Sequence, residues 1–197
     1  YDVEVFPNFF SITIKNTETG NYKFYEIGER RNDLPNIVKL FLHKGIYFVS
    51  YNGIHYDAPI ISYLILNYKK LILKPVWEIT AEIKAFSDKI ITSETSASWS
   101  QYKYANLFPN LDLLAMKWSQ KLRPSLKALQ VTMEYHNVEE YSGDFEKSLP
   151  KEDIPKLASY NKNDVDSTEE LLNRCKKDIE LRISIEDEFH ISALNKD

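Results

Sequence analysis

The opening stretch Tyr1-Asp2-Val3-Glu4-Val5-Phe6 alternates acidic or aromatic side chains with small apolar ones, and its reading decides the fold. Side chains alternate across a strand, so Asp2, Glu4 and Phe6 share one face while Val3 and Val5 share the other. Pro7-Asn8 signals a turn, Phe9 to Ile14 is a second β-rich run, Thr19-Gly20-Asn21 signals another turn, and Tyr22 to Ile27 is a third run. Three such runs joined by tight turns predict an antiparallel meander. Taken alone, two acids on the first strand also fit a solvated edge face.

Working outward, Asn32 or Asp33 can cap a helix with Pro35 in its first turn, running to about Lys44 and ended by Gly45. Ile46 to Tyr51 is a continuous apolar run of strand length, the pattern of a buried parallel strand. Asn52-Gly53 is a turn, followed by helices over about 57–68 and 77–89. Residues 92–106, rich in Ser and Thr, read as a loop or small hairpin. A short strand is predicted over 110–114, then a helix near Ala115, a further helix over 125–135, a loop over 139–150, and helix from Glu152 to about His190 with a break near Tyr160 to Asn163. The order predicts an α/β fold: a mixed β-sheet in which the three-strand antiparallel meander is extended by parallel strands, flanked by helices.

At 197 residues the chain is long enough for one domain with a full core, or for a tight pair of small lobes. Its net charge of −4 excludes a binder that holds nucleic acid by bulk charge alone, yet suits an enzyme whose bound cations offset an acidic cluster. A single cysteine, Cys175, excludes an internal disulfide framework and makes a reducing compartment the default. The longest apolar stretch, around Ile60 to Leu66, is too short to cross a bilayer, so no membrane partner is expected. The chain starts on Tyr within a strand-like run, which reads as one domain over 1–197 taken from a longer protein, or as a chain whose start was processed. The segment 183–197 reads either as its tail or as the start of a following piece.

Asp2 and Glu4 project together, Asp57 lies just past a buried strand, and Tyr160 and Asp164 stand four apart on one face of a helix. Carboxylates gathered in one place repel one another, and a fold that gathers four normally does so around divalent cations. Phosphoryl-ester hydrolysis is the reaction such cations most often assist. Each piece also has an ordinary reading: the solvated edge face, a helix N-cap for Asp57, a surface pair for Tyr160 and Asp164. Their joint order along the chain favours the shared site.

In that order the motifs Asp2-Val3-Glu4, Asn52-Gly53-Ile54-His55-Tyr56-Asp57 and Tyr160-Asn161-Lys162-Asn163-Asp164 resemble those of the DnaQ-like 3′→5′ exonucleases of the ribonuclease-H-like fold, in the subgroup whose third motif carries Tyr. The run from Tyr160 to Val165 is similar to proofreading domains of phage DNA polymerases, and the likeness covers about residues 1–175. It implies two Mg²⁺ or Mn²⁺ ions, a single-stranded DNA 3′ end as substrate, and an attached DNA polymerase or other replication protein. It also implies the cytoplasm of a bacterium or phage-infected host. By that analogy Asp2 bridges both ions, Glu4 and Asp164 complete the first site, Glu4 approaches the terminal 3′-hydroxyl, Asp57 holds the second ion and Tyr160 orients the attacking water. A ribonuclease of the same fold, or a non-catalytic nucleic-acid-binding domain, remains open.

Around this set, Asn52 either hydrogen-bonds the strand being cut or simply makes the turn before Gly53. Lys117, Lys121, Arg123 and Lys127 can contact phosphates or form a solvated face. Trp99, Tyr102 and Tyr104 can stack on bases or pack on the body. Asp112 is a candidate for supporting the site from behind, Tyr56 reads as core, and His55, His136 and His190 have no partners at metal-ligand spacing.

Overall fold

The computed structural model describes residues 1–92, 107–118 and 122–195. The meander forms as the alternation predicts: β1 (Asp2–Phe6), β2 (Phe9–Lys15) and β3 (Tyr22–Gly28), with a two-residue β4 (Arg31–Asn32) added beyond β3. Asp2 pairs with Thr13 and Glu4 with Ser11 across the first hairpin. Directly opposed residues share a face, so the acids of β1 and the hydroxyls of β2 line one side of the sheet. Tyr1, Val3, Val5, Phe10, Ile12 and Ile27 line the other side and enter the main core.

Helices α1 (Leu34–Phe41), α2 (Asp57–Leu71) and α3 (Val76–Thr92) enclose that core. The first is shorter than the expected span to Lys44. Asn32 Oδ1 accepts from the Leu34 amide at 3.1 Å, while the Asp33 carboxylate faces the Glu26 amide. Buried residues on α1 end at Phe41; Leu42 to Lys44 are exposed and give a further turn nothing to pack on.

The expected single mixed sheet is two sheets. β5 (Phe48–Ser50) pairs in parallel with β6 (Asn110–Asp112), apart from the meander. Both are shorter than expected because Asp112 leaves the strand to cap α4 (Leu113–Lys117), which limits the pairing to three residues. The Tyr1 nitrogen donates to the Val49 carbonyl at 2.8 Å and links the two sheets. The start of β1 is therefore firmly held, since the Tyr1 ring also meets Phe41, Phe48 and Phe108 edge-on at 5.3, 5.8 and 6.4 Å. Such ring pairs contribute about 0.5–1.5 kcal/mol each beyond the area they bury.

Over the acid-bearing face lies α6 (Ile154–Arg174), preceded by α5 (Leu126–Thr132) and followed by α7 (Lys176–Phe189). Its buried stripe runs Ile154, Leu157, Asn161, Asp164, Val165, Thr168 and Leu171, with helical spacing. Lys15 on β2 pairs with Asp166 at 2.7 Å and Glu169 at 2.5 Å and ties this helix to the sheet. The expected break at 160–163 is absent: the helix runs through and ends at Cys175. Asn161 and Asn163 turn their amides toward partners elsewhere in the fold, so they do not compete for the helix backbone. After α7 the chain returns to β6, where Asn195 donates to the Asn110 carbonyl and accepts from the Asp112 amide. No helix among the described residues is long and apolar enough to cross a membrane.

Candidate metal centre

β1 brings Asp2 and Glu4 beneath α6, with Glu4 only 7% exposed. Asp57 reaches the same strand from the other sheet. After β5 the backbone turns through Asn52 in the left-handed region, φ 59°, and the turn is held by one carboxylate. Asp112 accepts from the Asn52 amide (2.9 Å), the Ile54 amide (3.0 Å) and the amides of Leu114 and Ala115, and is fully buried. Its support from behind is thus of backbone, not of the acids directly. Gly53 is required by space, since a Cβ there would lie 2.1 Å from Ser50 Oγ and 3.2 Å from Asp57 Oδ2. The turn delivers Asp57, 3% exposed, to the start of α2, where its Oδ1 accepts from the Val3 amide at 3.2 Å, between the two acids of β1.

From α6 come Tyr160, Asn161 and Asp164. Asn161 Nδ2 donates to Asp2 and to Glu4 Oε1, the latter at 3.2 Å. Asp164, 6% exposed, accepts from Lys127 Nζ at 2.6 Å and Gln130 Nε2 at 3.1 Å, both on α5. The Lys127 ammonium also lies 4.6 Å from the centre of the Tyr160 ring, and Tyr141 packs on that ring at 5.5 Å.

The acids act on one another. Burial, then Asp57, Glu4 and Asp164, push the Asp2 carboxyl well above the usual range. Glu4 is pushed up to about 8, chiefly by burial, with Asp164 and Asp57 adding and the Asn161 amide and Lys127 opposing. Burial raises Asp57 to about 7 against the pull of the Tyr1 amino group and the Val3 amide. Burial and Asp164 raise the Tyr160 phenol, which stays protonated near neutral pH. Four carboxylates from β1, α2 and α6 therefore share one desolvated field. As they lie, no three His, Cys, Asp or Glu side chains among the described residues are grouped to hold a metal ion; Asn161 donates to Asp2 and Glu4, and Lys127 to Asp164. In kind the donor set fits a hard divalent cation: it is all carboxylate oxygen, and the raised carboxyls of Asp2, Glu4 and Asp57 mark a place where positive charge is favoured.

Other expected residues go elsewhere. Lys117 ion-pairs with Asp178 on α7. Arg123 lies 3.1 Å from His55 Nε2, beside the 52–56 turn, and burial and Arg123 hold that imidazole below its ordinary value. Asn52 makes the turn, and its Oδ1 is buried without a hydrogen-bond partner. Tyr56 packs against the main core and its hydroxyl meets Ser87. Trp99, Tyr102, Tyr104 and Lys121 lie outside the described residues. Asn161 and Gln130 escape the sequence reading, although both are fully buried polar residues on helices. The signal for Asn161 is its place in the apolar stripe of α6, where a polar side chain implies a buried partner. Comparison with protein-family models, curated proteins and solved structures finds no match to this chain.

Proposed function

We propose that this chain is a metal-dependent 3′→5′ exonuclease of the ribonuclease-H-like fold. It hydrolyses phosphodiester bonds at the 3′ end of single-stranded or frayed DNA and releases nucleoside 5′-monophosphates, as the proofreading part of a DNA replication protein. The observation that carries the reading is that three elements of the fold bring half-buried Asp2 and buried Glu4, Asp57 and Asp164 close enough to act on one another. Burying acids side by side costs several kcal/mol unless cations join them, so a fold that does so argues for a use.

In this reading those four residues would hold two Mg²⁺ or Mn²⁺ ions, which supply a polarised phosphate and a water that is nucleophilic at neutral pH. The chain's own groups do the rest. Tyr160, protonated, orients that water by hydrogen bonding and does not remove its proton. Lys127 can exchange its contact with Asp164 for a phosphate oxygen of the strand. Asp57 is held against β1 by Val3, so its position does not depend on a mobile side chain.

The test is digestion of 5′-labelled single-stranded DNA with Mg²⁺ or Mn²⁺, beside an RNA of the same sequence. Stepwise shortening from the 3′ end, lost in Asp2→Ala and in Asp164→Ala, is expected. Unchanged cleavage in both variants would put the activity elsewhere. A second reading is favoured by the contacts of Asn161, which already hydrogen-bonds Asp2 and Glu4, and of Lys127, which already neutralises Asp164: a non-catalytic nucleic-acid-binding domain whose acids form a polar network. It predicts DNA binding without metal-dependent shortening.

A further inference from the structure

The geometry points to Asn161 as a positioning residue that sets Asp2 and Glu4 for a divalent cation, an inference that rests on the exonuclease reading. Asn161 is fully buried on α6, and its single amide nitrogen bridges carboxylates two residues apart on β1. An amide has two N–H donors, which are what two neighbouring carboxylates need to stay turned toward one point without bringing a charge of its own. A cation in that place would neutralise the acids and compete with a metal; an apolar residue would leave them to rotate apart. The second half of the amide argues the same way. Asn161 Oδ1 is buried and makes no hydrogen bond, so the side chain is not placed there to satisfy its own polar atoms. An unpartnered buried carbonyl oxygen costs free energy, and the arrangement persists because the donors are engaged by Asp2 and Glu4. Three residues on lies Asp164, on the same buried stripe, so one helical face carries both the bridge and another acid of the site.

The experiment uses the full chain, its Asn161→Leu and Asn161→Ser variants, and Mn²⁺ alone as probe, followed by the spin-resonance signal of free Mn²⁺. Leucine keeps the volume and loses both donors; serine keeps one donor and cannot span two carboxylates, and it serves if the leucine variant does not fold. The Mn²⁺ dissociation constant should rise about tenfold, as when groups orienting ligands are lost elsewhere, while DNA shortening recovers at high Mn²⁺. A cooperatively melting variant that binds Mn²⁺ like the wild type overturns the role of Asn161 and leaves the exonuclease reading intact. A wild type that binds no Mn²⁺ and shortens no DNA removes both.

Discussion

Raising the pH in the presence of a chelator should weaken this fold, and Glu4 and Asp57 give a lower bound on the effect, since the raised Asp2 carboxyl adds a loss of the same sign. The native protein keeps a proton on Glu4 up to about pH 8 against an ordinary 4.5, and on Asp57 up to about 7 against 3.8. The unfolded chain releases both near the ordinary values. Between those limits the native state binds more protons, so stability falls as pH rises and levels off above the folded values. At about 1.36 kcal/mol per pH unit, Glu4 accounts for a loss of about 5 kcal/mol and Asp57 for about 4, and because they share one field the joint loss is below the sum. In a domain of this size about 1 kcal/mol moves the melting midpoint by 2–4 °C, so a fall on the order of 10–20 °C is expected between about pH 5 and pH 9. Circular dichroism melts in EDTA measure it. Mn²⁺ at about 100 times its dissociation constant should restore about 2.7 kcal/mol, and more readily at the alkaline end, where the ligands are ionised. Glu4→Gln should flatten the slope and melt higher than the wild type above about pH 8 in EDTA. A midpoint that is level across the range, with Glu4→Gln no more stable at its alkaline end, would refute the shared desolvated site.

Asp112→Ala should cost about 3 kcal/mol or more in urea unfolding, because four backbone amides lose one buried acceptor, and it should weaken Mn²⁺ binding through the displaced 52–57 turn. Gly53→Ala should destabilise by about 1–3 kcal/mol, since its Cβ meets Ser50 and then Asp57, and the loss should persist in Ser50→Ala because the Ser50 Cβ is also too near, at 2.6 Å. Lys127→Met should lower the midpoint in EDTA by breaking a mostly buried pair, a change of about 3 kcal/mol, and Mn²⁺ should recover more of the wild-type midpoint than it does for Asp112→Ala.

What was legible in the sequence followed from local period. A two-residue alternation sufficed for β1 and the meander, whereas the four acids with Tyr160 stand out only through their joint order along the chain, since each alone has an ordinary reading. What was not legible depends on partners far along the chain. The length of β5 is set by how soon β6 stops, and that is set by Asp112 accepting amides from a turn some sixty residues earlier. The expected helix break at 160–163 fails for a related reason. Asn-Lys-Asn disfavours helix only while its side chains are free to bond their own backbone, and here Asn161 is engaged by β1 and Asn163 by Asn137. The expected break and the missed Asn161 are connected: a break at 160–163 hides that Asn161 falls on the buried stripe between Leu157 and Asp164. Once the helix is continuous, the stripe requires a polar group to be buried at that position, and the acids of β1 are its partners. The Lys127 contact follows the same logic, for an ammonium that can meet a phosphate can also meet Asp164, and only the neighbourhood of α5 decides which anion it faces.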